Sequence, residues 1–263
     1  MSKNLIPKVI HYCWFGRSEL PDSVKRSIDS WKRICPGYAI IQWDESNYDY
    51  NKINYVADAY KRKKYAFVSD YARLDIIYNN GGIYLDTDVE LIKSLDTLLE
   101  NRAFAGIENT GIALGLGFGA QKGVPELKDM MDRYREVSFL NKDGSSNLTP
   151  MPVYTTEYFI KKGYKMRNRN RIQRIGSFTI YPAEYFNPKN MMTDVIDLKD
   201  NTYSIHHYDA SWHGGDEQKE LRRQRWLFKK NIWLWRVYNG IKTLRKEGIY
   251  PLINKIQRMR IDK

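Results

Sequence analysis

Short apolar runs alternate with stretches of helical periodicity through the first part of the chain, and that alternation leaves few architectures open. VIHYCWF (9–15) reads as a buried strand, and a turn over Gly16–Pro21 follows it. Asp22 or Ser23 is placed to cap a helix over 23–34, where Val24, Ile28, Trp31 and Ile34 recur at helical spacing. Pro36–Gly37 stops that helix, and YAIIQW (38–43) is a second strand. Helices are predicted over 52–63 and 65–79; in the second, Phe67, Tyr71, Leu74, Ile77 and Tyr78 lie close to one face. Gly81–Gly82 ends it, since glycine accepts the left-handed conformation of a helix C-cap. The strand IYL comes next, followed by the run DTDVE. Strand–helix alternation of this kind implies an α/β sandwich with a largely parallel sheet.

The later chain is less regular. AFAGI (103–107), IALGLGFGA (112–120) and SFTIYP (177–182) read as strands, while 125–137 and 154–163 read as helices; 141–152 is a loop and 165–174 a polar, basic surface segment. From 217 onward the sequence is basic, helical and rich in Trp226, Phe228, Trp233 and Trp235. Charge is partitioned accordingly. Residues 219–263 carry 14 Lys/Arg against 3 Asp/Glu, whereas the whole 263-residue chain carries 43 against 31, so the body is close to neutral. The expected organisation is a globular domain over 1–218 and a basic aromatic helical tail over 219–263. A uniformly basic nucleic-acid binder is not built this way, so no nucleic-acid partner is expected. Two cysteines, Cys13 and Cys35, make neither a disulfide framework nor a CxxC metal site, which suits a reducing cytoplasm. No run approaches the ~20 apolar residues of a membrane span, and MSKNLIPKVIHYCWFG does not read as a signal peptide.

Asp86-Thr87-Asp88 directly follows IYL. In an open α/β sheet, ligands bind at the carboxyl ends of strands. Two carboxylates one residue apart can face a single divalent cation, which relieves their mutual repulsion and shares its remaining positions with substrate phosphates. The plainer reading is a polar turn. Asp70 and Arg73 lie three apart on the preceding helix, hence on one face. They read either as an ordinary surface ion pair or, next to an apolar stripe and one helix before the carboxylates, as part of a pocket.

The segment YAFVSDYARLDIIYNNGGIYLDTDVELIKSL resembles the hallmark segment of glycosyltransferase family 32, which includes bacterial surface-polysaccharide enzymes and fungal mannosyltransferases. It is also similar to the catalytic domain of the large clostridial glucosylating toxins. IPKVIHYCWFG and IHHYDASW extend the likeness over most of residues 5–212. The resemblance implies a GT-A fold, that is, a Rossmann-like mixed or mainly parallel sheet flanked by helices, here with a basic helical extension. It implies a retaining hexosyltransferase that uses a nucleotide-sugar and a divalent cation, Mn²⁺ or Mg²⁺. By resemblance, Asp88 is the direct metal ligand, and Asp86 contacts ribose or sugar and assists the metal. Tyr84 lines the donor pocket, and Asp70 and Arg73 hold sugar hydroxyls and the diphosphate.

By strand alternation Tyr12 and Trp14 share a face, with His11 and Cys13 on the other. Trp14 matches the base-stacking position of the toxin segment, and Tyr12 belongs with it to the donor-binding set; a core role is the alternative for each. In IHHYDASW the register implied by the family puts His207 on the metal, Ser211 at the diphosphate and Trp212 over it, with His206 still open. An imidazole suits Mn²⁺ better than Mg²⁺. Gly214–Gly215 would let this segment close as a lid. Glu108, Asn109 and Gln121 are polar residues near strand ends and read as loop and capping groups.

The expected reaction is transfer of a hexose, from UDP-galactose, UDP-glucose or a similar donor, to a hydroxyl of a lipid-linked glycan acceptor in bacterial capsule or surface-polysaccharide synthesis. Retention would proceed by front-face attack or through a covalent intermediate. The alternatives are a toxin-like transferase acting on protein, and a non-catalytic membrane- or nucleic-acid-binding protein. The tail reads equally as an interfacial anchor on the inner face of a membrane and as a helix packed on the body.

Overall fold

The structure is a computed structural model and describes residues 4–108, 111–209 and 215–247. The elements follow in the order β1 (Val9–Cys13), α1 (Asp22–Ile34), β2 (Ala39–Trp43), α2 (Asn54–Lys61), α3 (Tyr65–Asn80), β3 (Gly82–Tyr84) and β4 (Val89–Leu91). A 3₁₀ turn (Asp96–Glu100) leads to β5 (Ala103–Glu108), β6 (Gly111–Ala113), β7 (Phe118–Ala120), α4 (Pro125–Glu136) and α5 (Met151–Lys161). The remainder is β8 (Gln173–Ile175), β9 (Phe178–Tyr181), α6 (Ala183–Phe186), β10 (Ser204–His206), α7 (Gly215–Lys230) and α8 (Ile232–Glu247).

The main sheet has eight strands in the order β2-β1-β3-β7-β5-β9-β8, with β6 on β5. Strands β1, β2, β3, β5 and β9 run one way, and β6, β7 and β8 run the other. The sheet is therefore mixed, with most strands parallel in direction, and helices flank it. One face, including Cys13 and Phe15 at the end of β1, packs under α2, α3, α4 and α5. The other, including Ile10 and Tyr12, packs under α1 and α6. The alternation expected in β1 is what divides these two cores. Strands β4 and β10 form a separate antiparallel pair.

Three expectations differ in detail. Helix α1 has Pro21 at its N-cap with no side-chain cap, so Asp22 acts from inside the first turn rather than as the cap. IALGLGFGA is two strands, because Gly117 turns the chain at φ 132°, where side chains other than glycine's are strained. Helix α5 starts at Met151, with Pro152 in its first turn, where a missing N–H costs nothing.

The chain divides into two compact units, Met1–Lys189 with Ile196–Trp212, and Asn190–Val195 with His213–Lys263. The boundary at 218 expected from charge falls inside α7.

His11 ties β1 to its neighbours. Its Nδ1 accepts from Trp43 Nε1 at 3.0 Å and its Nε2 donates to the Gly81 carbonyl at 3.1 Å, which fixes the neutral tautomer. Gly82 lets the ring in, since a Cβ there would lie 2.8 Å from Nε2. Burial lowers the His11 pKa to about 4, only partly offset by the Gly81 carbonyl. The unfolded chain therefore binds a proton between pH 6.5 and 4 that the folded chain refuses, so stability falls as pH drops through that window. The stability lost between pH 6.5 and pH below 4 through this group is about 3 kcal/mol. Expected outcomes are a His11 resonance that titrates near 4 in NMR and, in chemical denaturation, a shallower dependence of stability on pH between 4 and 6.5 in His11→Gln.

Candidate active site

Strands β1 and β3 are parallel neighbours in the register His11↔Tyr84, so both end at the same edge of the sheet. The chain leaves β3 at Leu85 and turns through Asp86-Thr87-Asp88. The Asp86 amide donates to the Gly115 carbonyl at 2.9 Å, and Val89 N–H closes the turn on the Asp86 carbonyl at 3.1 Å. Helix α1 holds the far side of that turn. Trp31 Nε1 donates to the Val89 carbonyl at 2.7 Å, and Ser30 Oγ accepts from Leu91 N–H at 3.0 Å. Strand β10 then pairs antiparallel with β4, setting His206 opposite Val89. A buried helix face thus positions the carboxylate turn, and a short strand delivers an imidazole to it.

The two carboxylates have different environments. Arg73 spans the first: Nη1 lies 3.2 Å from Asp86 Oδ2, Nη2 lies 3.1 Å from Asp70 Oδ1, and Nε donates to the Ser69 carbonyl at 3.0 Å. The guanidinium sits over the Tyr84 ring, 4.8 Å from its centre. The side chains of Arg73 and Asp70 are only 7% and 13% exposed, so the pair is a buried one, not a surface salt bridge. Burial pushes Asp70 up to about 6 against the pull of Arg73, Asp86 adds repulsion, and the Met151 amide of α5 holds the anion down. Burial opposes the charge on Arg73, but Asp86, Tyr84 and Asp70 together keep it firmly cationic.

Asp88 faces the other way. Its Oδ1 lies 3.2 Å from His206 Nε2, and its Oδ2 accepts from Asp209 N–H at 3.2 Å. Burial raises the Asp88 pKa, and His206 with the backbone donors more than reverses this. Burial likewise lowers His206, yet Asp88 first, then Glu108 and Asp86, raise it to about 9. The Nδ1 of His206 is buried without a hydrogen-bond partner among the described residues, and its ring packs on Tyr208 at 4.1 Å. His207, expected at the metal, turns instead to Glu90, with Nε2–Oε2 at 2.9 Å, and meets Asp88 only through its backbone N–H. Successive residues of a strand face opposite sides, so only one of the two imidazoles can reach Asp88, and it is His206.

Glu108, at the carboxyl end of β5, is a participant that its capping interpretation overlooked. Burial raises its pKa, and His206, Asp86, Asp88 and Arg73 all act on it, so it belongs to the same charged cluster. The signal available was its place at the end of an apolar strand that runs in the direction of β3. Gln121 follows β7, which runs against β3, and so lies at the opposite edge.

Trp14 is half-buried just past β1, with its indole N–H on the Ser18 carbonyl at 2.7 Å. Tyr12 is 6% exposed; its ring meets Trp31 edge-on and its hydroxyl donates to Gln42 at 2.7 Å, which places it in the core beneath α1. Tyr84 is 1% exposed and supports Arg73 from below rather than lining an open pocket. Ser211, Trp212, Asn109 and Gly214 of the expected lid and site lie outside the described residues.

Among the described residues no set of three or more His, Cys, Asp or Glu side chains forms a complete metal cage. Asp88 and His206 fit a different kind of centre, in which one or two side chains and the substrate's own phosphates share a hard cation. The carboxylate and imidazole donors and the buried, unpartnered Nδ1 agree with it. A polar cleft of about 460 Å³, lined in part by Asn101, Arg102, Arg174 and Thr179, opens at the amino ends of β5 and β9, the opposite edge.

Residues 21–105 match the family described as a glycosyltransferase sugar-binding region containing DXD motif. The DTD turn lies within it, as the expected likeness to DXD-containing sugar transferases requires. The chain is 27% identical over 186 residues to the Saccharomyces cerevisiae mannosyl phosphorylinositol ceramide synthase SUR1, covering 69% of this chain and 48% of that protein. It is 27% identical over 218 residues to the uncharacterized glycosyltransferase L373 of Acanthamoeba polyphaga mimivirus, covering 79% and 84%. The chain thus spans about half the length of the yeast relative. Among solved structures it is similar to the PaToxG glycosyltransferase, at TM-score 0.47 and 19% identity, covering 62% of this chain and 70% of that one.

Gly115 gives a direct test of the site's geometry. A Cβ there would overlap Asp86 Oδ2 and lie 2.8 Å from Arg73 Nη1, whereas one at Gly37 would meet nothing within 4 Å. Gly115→Ala should destabilise the fold by about 1–3 kcal/mol through displaced side chains, with Gly37→Ala within ~0.5 kcal/mol of the parent in chemical denaturation.

Proposed function

We propose that the chain is a divalent-cation-dependent glycosyltransferase that moves a hexose from a nucleotide-sugar to a hydroxyl of a glycan acceptor. The observation that carries this reading is the single edge of the sheet at which Arg73 bridges Asp70 to Asp86 while Asp88 meets His206. The matched DXD region supports it independently. We assign Asp88 and His206 to the cation, Mn²⁺ or Mg²⁺, whose chemistry is to neutralise charge on the departing diphosphate.

The remaining roles follow from the contacts. Arg73 is buried and pre-oriented by three acceptors, so it presents positive charge to the diphosphate side without reorganising. Asp86 keeps Oδ2 on Arg73 and is 31% exposed, which leaves Oδ1 for a ribose or sugar hydroxyl. Asp70, its ionised form weakened by burial, is suited to hold a sugar hydroxyl. We assign Trp14, at the end of the strand beside β3, to the nucleobase. Retention of configuration belongs to the proposal, by front-face attack or through a covalent intermediate.

A UDP-linked hexose and a lipid-linked surface polysaccharide remain the proposed substrates, with a cytoplasmic site of action. Because one relative is named for mannosyl transfer, a mannosyl donor is the second candidate. A thermal-shift panel of UDP, GDP and their sugars, with and without Mn²⁺, tests the reading. The expected result is a rise in melting temperature that needs nucleotide and cation together. No such stabilisation by any member would overturn it. Asp88→Asn should lower transfer by at least about 10²-fold with the melting temperature within a few degrees of the parent. Full activity in that variant would refute the cation assignment.

A further inference from the structure

Helices α7 and α8 carry an apolar surface that nothing in the sugar-transfer reading uses. Asn231 separates them and caps the second, its Oδ1 accepting from Trp233 N–H at 2.8 Å and Leu234 N–H at 3.3 Å. The two helices meet through Phe228 and Trp235, whose rings pack edge-on at 5.2 Å, and through Tyr238, whose hydroxyl donates to Glu220 Oε2 at 2.9 Å. Arg223 lies over the Tyr238 ring at 4.9 Å. These contacts use one face of α8.

On a helix of 3.6 residues per turn, Trp233, Leu234, Val237 and Ile241 fall on another face, within about a third of the circumference. They are 67%, 51%, 39% and 46% exposed. Trp226 on α7 is 58% exposed and Ile232, at the junction, 49%. An apolar stripe this open is not the ordinary scatter of surface hydrophobes. The same two helices expose Arg222, Lys230 and Arg236, with Lys229 paired to Asp194 at 2.7 Å, and the sequence from 219 to 263 carries 14 basic residues against 3 acidic ones. No described helix is long and apolar enough to cross a membrane.

We infer that the α7–α8 hairpin docks on an anionic lipid bilayer, with the Trp233–Leu234–Val237–Ile241 stripe entering the headgroup boundary and the surrounding arginines and lysines facing lipid phosphates. The chemistry selects this occupant. Tryptophan and aliphatic groups gain from the interface, and clustered cations gain from an anionic leaflet. A protein groove would satisfy the stripe but not so many cations, and a nucleic acid would satisfy the cations but not the stripe. The inference stands apart from the sugar-transfer reading, because lipid binding needs no donor and no cation.

The test is flotation of the full chain with vesicles of phosphatidylcholine alone or with about a third phosphatidylglycerol, at low and high salt. Binding to the anionic vesicles that weakens with salt is expected. In the double variant Trp233→Ser, Val237→Ser, partition should fall about tenfold while the nucleotide thermal shift is unchanged. Lys230→Glu with Arg236→Glu should lose the preference for anionic lipid. Equal flotation of parent and double variant, or no binding to either vesicle, would overturn the inference. So would a dimer in light scattering that Trp233→Ser abolishes when vesicles do not bind, since the face would then belong to a second copy. Binding to a random single-stranded RNA in place of vesicles would overturn it as well.

Discussion

One buried cation organises this site. Arg73 is taken out of water by α3 and the sheet, and its guanidinium stays charged because Asp70 and Asp86 flank it and the Tyr84 ring lies beneath it. Removing either carboxylate would leave buried charge without a partner, the costly half of any interior ion pair. The arrangement also ties α3 to the end of β3, so the helix that packs the core and the turn that carries the carboxylate doublet are set by the same contact. Gly115 completes it, because only a residue without a side chain leaves room for Asp86 to reach the guanidinium.

The second carboxylate depends on packing from the other face. Trp31 and Ser30 of α1 hydrogen-bond to the backbone of β4, so the turn through Asp88 is braced by that helix. The two carboxylates of the doublet therefore differ by design of their surroundings. Asp86 is neutralised by a fixed arginine, and Asp88 is left to an imidazole and a backbone amide. This asymmetry, a buried arginine on one carboxylate and an imidazole on the other, is what the proposed cation assignment rests on.

Much of this could be read from the chain because local pattern and global fold agree in its first third. The alternation in VIHYCWF, the helix over 65–79, the glycine stop and the strand before the doublet all appear where the sequence pattern placed them, although α3 is buried on nearly every side, Arg73 and Asp75 included, rather than along one stripe. What periodicity could not supply was long-range. Whether His206 or His207 meets Asp88 is decided by the register of β10 on β4, which links residues more than a hundred positions apart. Glu108 joins the cluster only because β5 runs in the same direction as β3 with β7 between them, a topology that no short window contains. Tyr12 and Trp14 share a face as alternation requires, yet α1 covers Tyr12, and coverage by a distant helix is invisible in the strand's own residues.

The β4–β10 pair is a ladder of three residues on each strand, set apart from the eight-stranded sheet. The half of the site built on α3 and β3 sits on the main sheet, whereas the imidazole half sits on this short ladder, whose strand β4 is itself buried and hydrogen-bonded to α1. The two halves of the charged cluster are thus held by different backbone ladders, and the chain joins them only through the four residues Leu85 to Asp88 between β3 and β4.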